Sequence, residues 1–442
     1  MDNIKTFLIF GLLVVSLLLW EAWHSDYPQT AQVAEPAVST LSDEVSKKDL
    51  PDMPVVSTVS GELPAVDPSI KRSNSKRVHV RTDILDLYID TEGGDIRELA
   101  LLNYPIESTE PDVPVTLLNN DAEQFFVVQS GLRSDGPAPT HYEQYTAEDE
   151  QYSLADGQDT ITVPLHWQSD NGLKVIKTYR FKRDSYLVEV DYQIINNSGE
   201  TFAAYPYAQF NRNRPSDSSN FIYTYTGAVF SSLGNEYEKI DFDDLDDASF
   251  KSTVADGWTA MIQHYFVAAM IPEVDGQPKS FYGKSINELN YTAGVKLPTM
   301  TVARGDKSQA KYSMYLGPKE HIRLEKVAEN LDLTVDYGVL TILSKPLFTI
   351  MEWIYAVTNN WGWAIVFLTV LIKLAFYKLS AASYRSMASM RKLTPKLAAL
   401  KERHGDDKQK YNQAMMELYR TEKINPLGGG LPILVQMPVF LA

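Results

Sequence analysis

The chain of 442 residues contains no cysteine, so it can form neither a disulfide bond nor a thiolate metal site. Its seven histidines are scattered and show no spacing that suits a metal ion, which predicts that the protein binds none. A basic excess is also missing, because 57 Asp and Glu outnumber 41 Lys and Arg and give a net charge of −16. This balance argues against nucleic acid as a main partner.

Motifs of known enzyme classes are missing as well. The sequence has no G-x-S-x-G, and the LGGG at 427–430 lacks the Lys-Ser/Thr of a phosphate loop, so we interpret it as a hinge. The acidic run Asp241–Asp247 has carboxylates at a spacing like that of a calcium loop, but not the sharp-turn glycine or the distal Glu. We therefore expect a solvated acidic loop there, and no catalytic residue or cofactor anywhere in the chain.

The charge that is present is unevenly distributed. From Leu374 to Ala442, 11 Lys and Arg face 5 Asp and Glu, a net of +6, whereas residues 24–345 carry a net of −21. Short basic loops beside a membrane span stay in the cytoplasm, and long domains can be translocated largely regardless of charge. The asymmetry predicts a long acidic domain on the outer side of a membrane and a short basic segment inside the cell.

The first apolar run, Thr6–Trp20, could be a signal peptide or a membrane anchor. Trp20 and Trp23 stand where a signal peptidase would require small residues, and tryptophan favours the membrane interface. Residues 1–23 are therefore predicted to be an uncleaved transmembrane anchor. Residues 24–77, rich in Pro, Ser, Val and Asp, are predicted to be a flexible linker.

Residues 78–335 are predicted to form an all-β domain, a sandwich of antiparallel sheets. Leu85, Leu87 and Ile89 alternate with polar residues, and Gly93-Gly94 supplies a turn. A second alternating stretch places five apolar residues on one face, namely Tyr186, Val188, Val190, Tyr192 and Ile194. One helical stripe interrupts the β pattern, formed by Leu324, Val327, Ala328 and Leu331.

Two apolar segments follow this domain. Residues 337–357 are interrupted by Lys345, Pro346 and Glu352, which favours an amphipathic helix in the membrane interface over a span. Residues 361–379, WGWAIVFLTVLIKLAFYKL, would extend about 28 Å as a helix, close to the ~30 Å thickness of the hydrocarbon. They are predicted to be a transmembrane helix.

Lys373 lies inside this run, six residues from its cytoplasmic end and about 9 Å deep. Its side chain could extend toward the headgroups, as long basic side chains do near helix ends. It could equally face a water-filled cavity within the bilayer, where ionisable residues usually serve a function. The residue pattern alone leaves both interpretations open.

The segment 382–424 is basic and shows a coiled-coil seam on two successive helices. The seam residues are Met390, Leu393, Leu397 and Leu400 on the first helix and Tyr411, Met415 and Leu418 on the second. We expect Pro395 to interrupt and kink the first helix. The pattern predicts an antiparallel helical hairpin in the cytoplasm, whose charge serves either as a topology signal or as a docking site for ribosomal RNA or anionic lipid.

A third apolar run occupies residues 431–442. Its twelve residues would reach only about 18 Å as a helix, which is too short to cross the bilayer. The run is therefore predicted to be the start of a truncated transmembrane helix.

These features together resemble the YidC family of membrane protein insertases in its Gram-negative form. The resemblance includes the N-terminal anchor, runs from about residue 78 to the end, and is most specific from 331 onward. The matching stretches are GWTAMIQHYFVAAMIP (257–272), LDLTVDYG (331–338), KPLFTIMEWIY (345–355), NWGWAIVFLTVLIK (360–373), YRSMASMRKLTPKL (384–397), GDDKQKYNQAMMELYRTEKINPLGG (405–429) and LPILVQMPVFLA (431–442).

The resemblance implies a multi-domain protein of the bacterial inner membrane that inserts and folds other membrane proteins, alone or beside the Sec translocon. It implies a periplasmic all-β supersandwich and an α-helical membrane core whose five helices enclose a hydrophilic groove. The basic residue of that groove, which attracts acidic residues of the substrate, falls on Lys373. The cytoplasmic hairpin at 382–424 is implied to receive nascent membrane proteins from the ribosome or the targeting machinery.

The sequence departs from the family pattern at three points. The family usually has Pro where Lys378 stands and Cys where Gly430 stands. It also has further membrane helices, so we expect the chain to be a fragment or a nonfunctional truncation. Two alternatives are a structural or regulatory envelope protein with two spans and a membrane-tethered periplasmic sugar-binding protein. The apolar run at 431–442 argues against the first, and glycan binding by the isolated domain 78–330 would support the second.

Overall fold

The computed structural model describes residues 76–441, apart from 108, 216–224, 287–288, 405–407 and 423–430. The predicted anchor at 1–23 and all but the last two residues of the predicted linker at 24–77 lie outside the described residues. The described strands are β1 Arg77–Arg81, β2 Leu85–Asp90, β3 Ile96–Glu107, β4 Glu110–Leu118, β5 Phe126–Arg133, β6 Thr146–Ala147, β7 Gln151–Ser153, β8 Thr160–Gln168, β9 Leu173–Lys182, β10 Leu187–Asn196, β11 Phe202–Asn213, β12 Gly227–Ser232, β13 Asn235–Ile240, β14 Phe250–Val254, β15 Gly257–Ile262, β16 Phe266–Pro272, β17 Lys279–Ser285, β18 Asn290–Lys296, β19 Met300–Val302 and β20 Lys307–Pro318.

The strands form two large sheets. The first has eleven strands in the order β14-β17-β18-β11-β5-β3-β2-β1-β7, with β19 added to β11 and β4 added to β3. The second has nine strands in the order β13-β12-β15-β16-β20-β10-β9-β8-β6. The pairings are antiparallel except for that of β1 with β7. The predicted β-sandwich domain is therefore confirmed.

The core between the sheets consists of the residues that the alternating pattern predicts. Leu85, Leu87 and Ile89 are fully buried, because successive side chains of a strand point to opposite faces. The apolar face of β10 is buried in the same way, through Val188, Val190, Tyr192 and Ile194. Period-two patterning thus identified the interior of this domain correctly.

The turn at Gly93-Gly94 carries a buried lysine. Both glycines have positive φ angles of 73° and 61°, and a Cβ atom on Gly93 would lie 2.4 Å from the His141 carbonyl oxygen, so the turn requires glycine. Lys177 Nζ donates to the carbonyl oxygens of Gly93 and Gly94 at 3.0 and 2.8 Å. Burial lowers the pKa of Lys177 to about 8 and raises the pKa of its buried neighbour Asp95.

The acidic run at 241–247 is not a loop, as the sequence suggested, but a short helix, α1 Phe242–Asp247. Phe242 and Leu245 are buried three residues apart, and this spacing places both on the inner face of one helical turn. Arg214 Nη2 donates to Asp243 Oδ1 at 2.7 Å and to Asp246 Oδ2 at 3.0 Å on the outer face. The acidic composition of this segment therefore made its two buried apolar residues hard to recognise from the sequence.

Helices follow the second sheet. They are α2 His321–Val327, α3 Thr341–Thr358, α4 Trp361–Ala375, α5 Tyr377–His404, α6 Lys408–Thr421 and α7 Leu431–Leu441, with 3₁₀ turns at Leu331–Thr334 and Gly338–Leu340. Helix α2 contains only Leu324 and Val327 of the predicted stripe, because it ends at Val327 and Ala328 is extended. Leu324 and Leu331 are both buried, but Leu331 begins the separate 3₁₀ turn, so the continuous helix expected there is wrong. Helix α5 continues through Pro395, so the interruption expected there is wrong. A proline removes one backbone hydrogen bond, and water can satisfy the freed carbonyl on this exposed helix.

Candidate functional site

Lys373 lies in the last turn of α4. The helix begins at a defined cap, where Asn359 adopts a left-handed conformation with φ of 50° and the Asn360 side chain accepts a hydrogen bond from Trp363 N at 3.2 Å. The rings of Tyr355 on α3 and Trp361 on α4 stack with centroids 4.2 Å apart. These contacts fix the start of α4 against the end of α3.

The end of α4 differs from the predicted boundary at 379. The helix stops at Ala375, Phe376 is non-helical, and α5 begins at Tyr377 with its axis bent by 60° from that of α4. Among the described helices, none alone has the length and apolarity of a membrane span, and the bent pair Trp361–Ala375 and Tyr377–Arg403 satisfies these two criteria only when taken together. Lys373 therefore lies two residues before the last residue of α4.

The ammonium group of Lys373 faces helix α7. Its Nζ atom lies 4.7 Å from the ring centroid of Phe440, which is the distance of a cation–π contact. On the next helix pair, α5 and α7, Gln436 Nε2 of α7 donates to Ser380 Oγ of α5 at 2.8 Å. The structure thus brings Lys373, Ser380 and Gln436 to the junction of α4, α5 and α7.

Sequence reasoning identified Lys373 but not Ser380, Gln436 or Phe440. The signal that could have found Gln436 is the same one that singled out Lys373, a polar residue inside an apolar run. Nothing in the sequence shows that the two runs meet, because 62 residues separate Lys373 from Gln436. Their proximity is a property of the helix packing.

The surroundings of Lys373 are apolar and open. The exposed large side chains of α4 and α7 are Trp361, Trp363, Ile365, Val366, Phe367, Val370, Leu371, Leu374, Leu434, Val435, Met437, Phe440 and Leu441. An apolar surface of this extent is unusual for a protein in water and marks contact with membrane or with other protein. A basic residue within such a surface is a functional candidate.

Helices α5 and α6 lie in the segment predicted as a hairpin. Leu393 and Tyr419 are buried, and Lys396 of α5 forms an ion pair with Glu422 just after α6. The buried Leu393 belongs to the predicted seam. The residues between the two helices, 405–407, lie outside the description.

A group of ion pairs joins the β-sandwich to α3. Asp332 Oδ2 lies 3.4 Å from His321 Nε2 and 3.7 Å from Lys345 Nζ at the start of α3. Lys239 of β13 pairs with Asp336, which precedes the 3₁₀ turn. Charged contacts therefore connect the segment between the sandwich and α3 to both of them.

The described residues do not bring three His, Asp or Glu side chains together in a way that could hold a metal ion. This applies also to the acidic helix α1, where Arg214 occupies the carboxylates of Asp243 and Asp246.

Comparison with known proteins gives the same assignment along the whole chain. The family model described as YidC periplasmic domain matches residues 77–350, and that described as 60Kd inner membrane protein matches residues 353–442. The membrane protein insertase YidC of Nitrosococcus oceani is 46% identical over 444 residues, which cover 100% of this chain and 81% of the relative. The YidC of Methylococcus capsulatus is 43% identical over 453 residues, with coverages of 100% and 81%.

A solved structure of a galactose mutarotase-related enzyme from Lactobacillus acidophilus aligns with 54% of this chain and 97% of that enzyme. Its identity of 11% and TM-score of 0.38 are too low to carry an argument about fold or ligand. The full-length identities and the two family matches are decisive instead. The chain belongs to the YidC family of membrane protein insertases.

Proposed function

We propose that this chain inserts membrane proteins by presenting Lys373 as the positive charge of a hydrophilic groove within the bilayer. The observation that carries the proposal is the position of Lys373 in an apolar helix, with its ammonium group against α7, the helix whose Gln436 donates to Ser380. YidC insertases are not enzymes, so the function requires a path for a polar segment and no covalent step.

The physical problem of insertion is the cost of moving polar groups through hydrocarbon. Each unsatisfied or charged group costs several kcal/mol there. A polar groove that reaches part of the way through the bilayer shortens this path and lowers the barrier. A lysine ammonium about 4 Å from a substrate carboxylate contributes an attraction on the order of 4 kcal/mol at an effective dielectric constant of 20.

The family descriptions support an inner-membrane protein with a periplasmic domain. Within that frame we place residues 1–23 as an anchor, 78–335 in the periplasm, 337–357 in the membrane interface, 361–379 and 431–442 in the membrane, and 382–424 in the cytoplasm. The net charge of +6 from Leu374 onward supports this orientation through the preference of basic segments for the cytoplasm. The acidic segment 24–345 is then translocated.

Partners follow from the same arrangement. Nascent membrane proteins are the substrates, and the lipid bilayer is the medium in which α3, α4 and α7 work. We propose that the basic hairpin, with Arg391, Lys392 and Lys401 exposed, receives chains from the ribosome or the targeting machinery. Cooperation with the Sec translocon is proposed as a second route.

The experiment is reconstitution of the full chain into liposomes with single-span substrates whose translocated tails are either acidic or neutral. We expect Lys373→Ala to reduce insertion of the acidic-tail substrate about tenfold or more, and Lys373→Arg to retain at least half of it, because arginine keeps the charge. Neutral-tail substrates should respond much less to either change.

Lys378→Ala is the matched control, because it removes an exposed lysine only five residues away on the next helix. Equal insertion by Lys373→Ala and Lys373→Arg would overturn the groove role, and so would an equal loss in the Lys378→Ala control.

A further inference from the structure

One buried cation of the sandwich has almost no hydrogen-bond acceptor. Arg212 of β11 is 6% exposed, and its Nη1 atom donates to the Ile262 carbonyl oxygen at 3.5 Å, which is longer than the usual distance of about 2.7–3.2 Å. A guanidinium group carries five N–H donors. Within the part of the chain that the structure describes, the side chain of Arg212 makes no other hydrogen bond and no ion pair.

Two other buried cations of the same domain are well satisfied. Lys177 Nζ donates to three backbone carbonyl oxygens at 2.8, 3.0 and 3.4 Å. Lys279 is 2% exposed, and its Nζ atom donates to the carbonyl oxygens of Ala255 and Gln277, both at 3.1 Å, and pairs with Asp275. The fold therefore supplies acceptors to these two lysines, and Arg212 differs from both.

The strand positions show where the guanidinium group lies. Arg212 follows the buried core residue Phe210 by two positions, so its side chain is on the inner face of the first sheet. It is the second-last residue of β11, and Ile262 is the last residue of β15 in the second sheet. The guanidinium group thus lies between the two sheets at one end of the sandwich, where a ligand can approach without separating the sheets.

An aromatic ring holds the guanidinium group in position. Phe126 of β5 is directly opposite Arg212, and its ring centroid lies 4.9 Å from Arg212 Cζ in a cation–π contact. The ring of Phe126 in turn packs against that of Phe210, with centroids 5.9 Å apart. A cation–π contact engages the face of the guanidinium plane, whereas the N–H donors point outward within that plane. The contact therefore positions the group without using its donors.

The charge of Arg212 is not compensated. Burial lowers the pKa of Arg212 to about 10, and among the described residues no acidic group opposes this shift. The guanidinium group nevertheless remains protonated at neutral pH. An unpaired buried charge destabilises a folded protein, so a fold that contains one indicates a partner from outside the described chain.

The chemistry of this position favours a carboxylate as that partner. The planar fork of arginine donates two parallel hydrogen bonds to a carboxylate or a phosphate. One guanidinium charge balances one carboxylate, whereas a phosphate dianion would need a second cation. The next basic residue along the chain, Arg214, is already paired with Asp243 and Asp246. The apolar rings of Phe126 and Phe210 also disfavour a ligand with more than one charge.

We propose that Arg212 binds the carboxylate of a ligand at this end of the β-sandwich, through two hydrogen bonds from its guanidinium group. The carboxylate belongs either to a free organic acid or to an acidic side chain of a polypeptide, and the two probes of the test distinguish these sources. The site lies in the sandwich and does not depend on the role of Lys373.

The test uses the full chain in nanodiscs of phosphatidylcholine, with sodium acetate as the first probe and sodium chloride added to keep the ionic strength constant. Thermal unfolding of the sandwich is followed by near-ultraviolet circular dichroism. The midpoint should rise by about 3 °C or more for each tenfold increase in acetate once the site is filled. Arg212→Met should abolish this rise, and sodium phosphate should produce a smaller one in the natural protein.

A capped peptide, Ala-Glu-Ala, is the second probe, because its only carboxylate is a side chain. A rise in midpoint at lower concentrations of peptide than of acetate would assign the site to a polypeptide, and a rise with acetate alone would assign it to a free organic acid. Arg212→Lys keeps the charge but loses the fork. It should require at least about tenfold more of the same probe for the same rise, and it tests the site even if Arg212→Met does not fold.

Arg304→Met is the matched control, because it removes an exposed arginine of the same domain. It alters the net charge equally and should leave the acetate response of the natural protein unchanged. In chloride alone, Arg212→Met should unfold at no lower temperature than the natural protein, because it removes an unpaired buried charge.

An equal acetate response in Arg212→Met and in the natural protein would overturn the proposal, since it would be a general salt effect. An equal response of the natural protein to phosphate would overturn the choice of a carboxylate. A midpoint of Arg212→Met more than about 5 °C below that of the natural protein in chloride, together with no acetate response of the natural protein, would show that Arg212 is already paired within the fold.

Discussion

The β-sandwich and the helices after it place their apolar side chains in opposite ways. The sandwich holds nearly the whole buried core, whereas the described residues of α3 to α7 include five buried side chains, Ser344, Ala364, Ser383, Leu393 and Tyr419. Of the 27 exposed large apolar residues in the described chain, 19 belong to these helices. One region is built for water and the other for an apolar medium.

The difference teaches that the two regions obtain stability from different sources. The sandwich buries its apolar surface within itself, so the hydrophobic effect drives its folding in water. Helices with apolar exteriors gain little by packing against one another alone, and in a bilayer they depend on close packing and on lipid. Four changes to the chain would test this contrast, from the largest expected effect to the smallest.

The largest effect is expected when the helices are removed, because the sandwich should remain intact and become independent of detergent. A chain of residues 76–335 should remain monomeric in detergent-free buffer, because few of its large apolar side chains are exposed. The full chain should aggregate in the same buffer. Size-exclusion chromatography with light scattering measures both, and aggregation of the 76–335 chain would break the comparison.

Two tryptophans allow a direct comparison of the regions. Trp258 of β15 is 2% exposed and its Nε1 donates to the Glu329 carbonyl oxygen at 2.9 Å, whereas Trp363 of α4 is 57% exposed. Trp258→Ala should reduce the free energy of unfolding of the sandwich by about 3–5 kcal/mol. Trp363→Ala should change it by less than about 0.5 kcal/mol. Urea unfolding monitored by circular dichroism distinguishes them, and equal effects would contradict the assignment of the core.

The buried charge of the sandwich should appear as a pH dependence of stability. Because the pKa of Lys177 is about 8 in the fold and about 10.4 in an unfolded chain, the unfolded state binds more protons between these values. The contribution of Lys177 to the free energy of unfolding therefore rises with pH across this window, by up to about 3 kcal/mol.

Lys177→Met supplies the reference for that measurement, because it cannot titrate. The difference in unfolding free energy between the natural protein and the variant should rise from about pH 7 to about pH 10. A difference that stays constant with pH would show that Lys177 is not desolvated as the structure indicates.

The smallest effect is expected where the two regions meet. Lys345 is 48% exposed on the side chain, and its Nζ lies 3.7 Å from Asp332 Oδ2, so solvent weakens the pair. A double-mutant cycle with Lys345→Met and Asp332→Asn should give a coupling below about 1 kcal/mol. A larger coupling, measured by thermal unfolding in detergent, would show that sandwich and helices fold as one cooperative unit.

Part of the sandwich could be predicted from the sequence, because strands such as β9 and β10 alternate between buried and more exposed residues along their whole length. For this reason the buried faces predicted for the strands that contain Leu85 and Val188 are confirmed. The helix at Phe242–Asp247 was missed because its two apolar residues are surrounded by five acids. The order of the sheets could not be predicted, since it depends on pairings between strands that are distant in the chain.

The candidate sites show the same limit. Lys373 could be singled out as a candidate because a charged residue inside an apolar run is visible in the sequence alone. Lys177 could have been found, since it occupies the buried face of β9 between Val175 and Tyr179. The contact between Ser380 and Gln436 could not, because the two residues are 56 positions apart and only the helix packing brings them together.

The break at Phe376 has a consequence for the charge of Lys373. A helix that ends at Ala375 directs its last carbonyl groups, and hence a partial negative charge, toward the region of that lysine. Helix α4 contains no acidic residue, so the partial charge of its own C-terminus is a favourable environment for this cation, worth about 0.3–1 kcal/mol. Peptide dipoles carry no proton that titrates, so this contribution is independent of pH.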